Sequence, residues 1–277
     1  MTAPEFAGGI LNLSGVRPGK AFDYKGLSFP NMNIYMMFFE STYDAIEKLI
    51  LPPPLKADRN FPPEVQMWYF TSHDTRPMDG RILPYHGVQF RARTSCAGAK
   101  GSAGWEYIDA QDGDKTKIDI MGPWGVYFGM LKKLANIHFV PVSIDEYEIR
   151  VERRGVRLVT MRMRVGAEMS DEAVAQLNAQ GGYDTLTVRE VPDVNYAAFV
   201  DRCVCISPTS TSNAVSRAWY ADDASVSFGH LELDPLDELV VIGEPRAVAL
   251  NATASIETFT QMRVLARLPL DGSDPAF

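Results

Sequence analysis

From residue 87 to 95 the chain alternates well: Val88, Phe90 and Ala92 are apolar, while Gln89, Arg91 and Arg93 between them are polar. A period of two puts successive side chains on opposite faces of a strand, so this segment predicts a half-buried β-strand. Similar short runs recur along the chain at near-regular spacing. Asn33 to Phe39, Val65 to Thr71 and Trp105 to Ala110 each read as strands. Tyr147 to Val151 and Val156 to Val165 read as a hairpin around Arg153-Arg154-Gly155. Further strands are expected from Thr185, Cys203, Ala214, Ser225 and Leu239 onward, and Thr253 to Leu265 suits a strand or a helix equally. Two helices interrupt the pattern. One runs from Tyr43 to Leu51, capped by Thr42 and stopped by Pro52-Pro53-Pro54. The other runs from Ser170 to Gln180 and ends at Gly181-Gly182. Gly98 to Gly104 reads as a flexible turn, without the Gly-Lys-Ser/Thr ending of a phosphate loop. Many short strands with few helices favour a mainly β, α+β fold built as one closed or sandwiched domain over residues 29–277. Residues 1–28, rich in Gly and Pro, read as an N-terminal arm.

The chain has 277 residues, 46% of them hydrophobic and 22% charged, which suits a sizeable core. A net charge of −8 argues against a nucleic-acid-binding surface over the whole chain. It leaves room for a local basic pocket. No apolar run approaches the ~18 residues of a membrane span. Glu5 stands where a signal peptide carries basic residues, so a cytoplasmic protein is expected. Cys96, Cys203 and Cys205 make an odd count and read as buried free thiols, with no metal-ligand spacing around them. Arg150, Arg157, Arg162 and Arg164 alternate with apolar residues and read as a solvated or subunit-facing side of a sheet.

The most chemically suggestive segment is Trp124 to Phe139, where Lys132 and Lys133 stand together in an apolar frame of Tyr127, Phe128, Met130, Leu131, Leu134 and Ile137. Most Lys-Lys pairs are solvated surface. Burial and a neighbouring cation both lower an amine's pKa, and only an unprotonated amine is a nucleophile. His86, in Leu-Pro-Tyr-His-Gly, is a candidate acid or base, or a structural histidine. Glu106 sits among aromatic residues and points either into a pocket or to solvent, while Tyr85 and Tyr127 are proton donors or core residues. Adjacent His73 and Asp74 do not make a dyad, because neighbours on a strand face opposite ways.

Several segments carry a family resemblance. Leu51-Pro-Pro-Pro-Leu-Lys56, Phe70-Thr-Ser-His-Asp-Thr75, Gly129-Met-Leu-Lys132-Lys133-Leu-Ala135, Arg217-Ala-Trp-Tyr and Leu236-Asp-Glu-Leu-Val-Val-Ile-Gly are similar, in the same order, to segments of the acetoacetate decarboxylase family. The resemblance spans roughly residues 29 to 266. It implies a cone-shaped closed β-barrel with a deep apolar pocket, in a homo-oligomer, needing no metal or organic cofactor. Acetoacetate decarboxylase is itself the usual illustration of a lysine activated by burial or a neighbouring cation. By position, Lys132 becomes the Schiff-base nucleophile and Lys133 its electrostatic neighbour. The departures are as informative. The family's arginine before the first helix falls on or near Asn33, one glutamate on Trp68, a second on His86 or Gly87, and an Arg-Glu pair on Gly125 and Val126. Some superfamily members with altered pockets carry out aldol condensation, dehydration or retro-aldol chemistry instead.

The resemblance therefore implies a carbon–carbon lyase acting on a small keto acid or related carbonyl compound, with no nucleic-acid or membrane partner. Lys132, Lys133 and His86 are the expected catalytic residues, and Trp68, Tyr85, Glu106, Tyr127 and Met130 the expected substrate contacts. The alternative is a catalytically silent barrel that holds an apolar small molecule.

Overall fold

The computed structural model describes residues 28–75, 84–109, 125, 128–180, 182–209, 213–255 and 261–275. Residues 1–27 of the expected N-terminal arm, and Tyr127, lie outside them. In chain order the first half contains β1 (Ser28–Glu40), α1 (Tyr43–Leu49), β2 (Lys56–Ala57), β3 (Glu64–Ser72), β4 (Tyr85–Cys96), β5 (Ala99–Asp109), β6 (Lys132–Pro141), β7 (Glu146–Arg153) and β8 (Val156–Glu168). The second half contains α2 (Asp171–Gln180), β9 (Thr185–Pro192), β10 (Phe199–Ser207), β11 (Ala214–Phe228), β12 (His230–Leu231), β13 (Asp234–Pro235), β14 (Ile242–Ser255) and β15 (Arg263–Arg267).

Nine strands close on themselves in the order β5-β6-β7-β8-β11-β14-β1-β3-β4, because β4 pairs back to β5. Closure removes the open edges that a flat sheet of this size would expose. Strands β9, β10 and β15 branch off as a flap joined through the pair Ser102–Thr185.

Aromatic contacts identify the inside of the ring. Tyr35 on β1 meets Phe139 on β6 at 5.1 Å, and Phe90 on β4 meets Phe228 on β11 at 6.2 Å between ring centres. Neither pair of strands is adjacent, so these rings touch only across the interior. The inner face carries the main core, including Met37, Phe39, Val88, Phe90, Trp105, Tyr107, Ile149, Val151 and Met161. Ile46 and Ile50, from α1 and its C-terminal end, pack into the same core. Phe90 is fully buried and stacks on Trp105 at 4.8 Å; truncation to alanine is expected to cost about 3–5 kcal/mol. A second cluster lies on the outer face, with Phe29, Phe70, Tyr85, Ile108, Phe128 and Met169.

Both helices form where expected: Thr42 accepts from the Ala45 amide at 3.1 Å, and Ser170 from the Ala173 amide at 3.3 Å. The glycine-rich stretch is a correction. Only Ala97 and Gly98 turn, both with positive φ (49° and 81°), which makes a two-residue hairpin. Residues from Ala99 onward are strand. Gly104 is a glycine there because a Cβ would come within 1.8 Å of the Phe90 carbonyl oxygen. Its role is close approach rather than flexibility. Likewise Ser225 opens no new strand: β11 runs through it, with an irregular register between Asp222 and Ser225 and Asp223 at φ 49°. Leu239 follows a 3-10 turn (Leu236–Glu238) and precedes the last long strand. Residues 251–255 and 263–267 are strand rather than helix.

All three cysteines are free and buried, with the Cys203 and Cys205 sulfurs 3.5 Å apart. Among the described residues no helix is long and apolar enough to cross a membrane. No group of three or more His, Cys, Asp or Glu there is placed to hold a metal. The alternating arginines lie along β7 and β8. Arg150, Arg157 and Arg162 pair with Glu148, Glu152 and Glu146, and Arg164 pairs with Asp223 at the neighbouring β11.

Candidate active site

The chain enters β6 through Gly129, whose φ is +70° and where a Cβ would lie 2.5 Å from the Val188 carbonyl oxygen. Both constraints demand glycine. The next residues then run parallel to the end of β5, with Glu106 opposite Lys132 and Tyr107 opposite Lys133. The Glu106 amide donates to the Leu131 carbonyl at 3.0 Å, which fixes this register. Strand geometry sends the two lysines to opposite faces.

Lys132 points outward from the ring, and its side chain is only 1% exposed. Its ammonium pairs with Glu106 and donates to the Tyr85 hydroxyl at 3.2 Å. Tyr85 in turn donates to the same Glu106 oxygen, and the Gln89 amide donates to the other at 3.3 Å. Burial pushes the Lys132 amine below its ordinary value of 10.5, against the pull of the Glu106 charge and hydrogen bond. Burial, reinforced by the Glu106 charge, raises the Tyr85 phenol well above 10.0, so it stays a proton donor at neutral pH. Phe29 and Phe70 pack on Tyr85 at 6.1 and 5.0 Å and hold it in place.

Two more expected residues share the outer face. Trp68 lies on β3, its indole N–H buried without a hydrogen-bond partner among the described residues, and the Arg91 guanidinium is 5.9 Å from its ring. Met130, part-buried, and Glu106 line a small cavity with Gln89, Arg91, Thr185 and Thr187.

Lys133 points inward. Its ammonium lies 4.3 Å from the Trp105 ring centre and pairs with Asp234, which also pairs with Arg153. Asp234 is fully buried and neutralises both cations. Lys133 is therefore separated from Lys132 by the sheet, which corrects the expectation that it depresses its neighbour's pKa. Desolvation does so instead. Burial and the Asp234 charge raise the nearby Tyr107 phenol.

His86 is also on the inner face, one residue from outward-facing Tyr85. It pairs with Asp109 at 3.0 Å, and Asp109 accepts the Ile137 amide at 2.8 Å. This joins β4, β5 and β6 on the side away from the Lys132 amine, so the expectation of His86 as that amine's acid or base is corrected. Asn33, on or near the expected position of the family's arginine, hydrogen-bonds Asn251.

Sequence reasoning overlooked Arg91 and Gln89 as site residues. Their polar face was visible, but its coincidence with Lys132 depends on the β4–β5–β6 pairing. Asp109, Asp234 and Arg153 had no local signal.

With fold and site in hand, the family follows. The Acetoacetate decarboxylase (ADC) family pattern matches residues 123–264, more than half the chain, so the chain belongs to that family. A search of curated protein sequences finds no match. Among solved structures, one from structural studies of acetoacetate decarboxylase is similar with a TM-score of 0.71 at 17% identity, covering 93% of this chain and 97% of that one. The acetoacetate decarboxylase of Legionella pneumophila subsp. pneumophila str. Philadelphia 1 gives 0.71 at 15%, covering 96% and 99%. The enduracididine biosynthesis enzyme MppR, complexed with pyruvate, gives 0.64 at 15%, covering 90% and 93%. At these identities the similarity speaks to fold.

Proposed function

We propose that this protein is a Schiff-base enzyme, a carbon–carbon lyase in which Lys132 attacks the carbonyl of a small keto acid or related compound. The observation that carries the reading is the buried Lys132 amine held against Glu106 and Tyr85. In a weakly hydrated site a neutral amine beside a neutral acid competes well with an ion pair. Glu106 takes the Lys132 proton, and the freed amine adds to the carbonyl. Glu106, with Tyr85 beside it, then protonates the carbinolamine hydroxyl, which leaves as water. The resulting iminium draws electrons from the adjacent bond. Loss of carbon dioxide, or cleavage of the carbon–carbon bond to a β-hydroxyl carbon, leaves an enamine; protonation at carbon returns it to an iminium, and water hydrolyses that to the carbonyl product and the Lys132 amine. The family's glutamate positions hold Trp68 and His86 or Gly87 here, so Glu106 supplies the carboxylate from a different strand.

One observation favours a catalytically silent barrel instead: an ammonium locked to Glu106 is not a nucleophile. Borohydride reduction in the presence of a panel of ketones and keto acids separates the two readings. The enzyme reading predicts a covalent mass adduct on the peptide containing Lys132. No adduct across the panel means the amine does not react and the silent reading stands.

A further inference from the structure

Arg91 has an unusual setting. Its Nη2 donates to the Ser102 carbonyl at 3.1 Å and the Thr185 hydroxyl at 2.9 Å, and the cation ion-pairs with none of the described carboxylates. The side chain is part-buried, and crowding lowers its guanidinium to about 10 from 12.5, with only the more distant Glu106 charge opposing that shift. A poorly hydrated cation without a counter-ion is costly unless something negative arrives. The same small cavity is lined by Thr187, 3% exposed, whose hydroxyl has no hydrogen-bond partner among the described residues. Natural proteins pair nearly all such groups, so an unspent hydroxyl beside an unpaired arginine calls for a ligand. Glu106 forms another wall of this cavity and touches Lys132, so the cavity and the amine are one side chain apart.

We propose that Arg91 and Thr187 form a carboxylate-binding subsite beside Lys132, which makes the substrate a short keto acid rather than a neutral ketone. The inference rests on Lys132 as the nucleophile. Charge balance agrees with it. The iminium and Arg91 carry two positive charges and Glu106 one negative, so a single substrate carboxylate makes the covalent complex neutral. Thr185 and the Ser102 carbonyl orient the guanidinium through one nitrogen, which leaves its other N–H groups for a bidentate anion. The trapping step is balanced: amine and carbonyl give iminium and water, and borohydride supplies the hydride that reduces it to a secondary amine.

The test compares pyruvate with methyl pyruvate, which keeps the reacting carbonyl and removes the charge. Half-saturating concentrations for borohydride trapping are measured in wild type, Arg91→Gln and Thr187→Val. Pyruvate is expected to need at least about tenfold more ligand in Arg91→Gln and about threefold more in Thr187→Val, with the ester changed less than about twofold. Thr187→Val removes an unsatisfied buried hydroxyl at nearly constant volume, so it keeps the test valid if Arg91→Gln fails to fold. Equal shifts for acid and ester, or an acid preference that survives both substitutions, overturn the subsite. A second arm does not use the amine: calorimetric titration of pyruvate into Lys132→Gln and into Lys132→Gln/Thr187→Val. Binding to the first that weakens in the second supports the subsite even where trapping fails and the Schiff-base reading falls. Absent or equal binding overturns it.

Discussion

Lys132 and Lys133 are neighbours in sequence and have opposite fates. The outer lysine is 1% exposed and shares one carboxylate with a tyrosine; the inner lysine is 34% exposed and shares a buried carboxylate with an arginine. On the inner face two cations meet Asp234, and Lys133 also lies over the Trp105 ring, a stable arrangement for a protonated amine. On the outer face desolvation works against the charge, and the acid beside the amine is placed to accept its proton. The difference lies in which face of the sheet each residue occupies, a property of strand register rather than of residue type.

Lys132→Ala gives the largest expected effect, bringing borohydride-trapped adduct below detection by mass spectrometry while Lys133→Ala retains it. Adduct on Lys133 in the Lys132 variant would break the contrast. Next comes Glu106→Leu, expected to slow adduct formation about a hundredfold through loss of the proton acceptor; an unchanged rate would remove Glu106 from the chemistry. The inner face is predicted to answer in stability. Asp234→Asn leaves two cations without their carboxylate, and, discounted for their partial exposure, this is expected to cost about 2–3 kcal/mol in denaturant unfolding. A slowed adduct with normal stability would be the contrary outcome. Lys133→Met is expected to be smallest, changing the pH dependence of adduct formation by less than about twofold in rate, because its charge is already neutralised across the sheet. A large shift would restore charge repulsion between the lysines as the cause.

Much of the fold was legible because it depends on local rules. Alternation at Val88, Phe90 and Ala92, the Thr42 and Ser170 caps and the Arg153-Arg154-Gly155 turn all lie where the pattern places them. The glycine-rich Gly98–Gly104 stretch misled, because glycine marks close backbone approach as well as turns, and only the partner strand distinguishes them. Within the site, Lys132, Glu106 and Tyr85 were each visible singly, but their meeting requires the parallel β5–β6 register, which links residues 26 apart. The rule that adjacent strand residues face apart excluded His73-Asp74. It applies equally to Lys132-Lys133 and to Tyr85-His86, and it separates both pairs.

The central claim is that burial, not a second lysine, frees the Lys132 amine. Folding lowers this group, so the unfolded chain binds more protons between the folded value and 10.5. The stability it contributes therefore rises with pH across that window and is smallest below it. The direct measurement is peptide-resolved acylation of Lys132 and Lys133 in the native protein as a function of pH, repeated in Lys133→Met. The account predicts that Lys132 reacts with a midpoint below 10.5 and keeps that midpoint in the variant. A Lys132 midpoint at or above the ordinary lysine value, or one that returns to it when Lys133 is replaced, would contradict it.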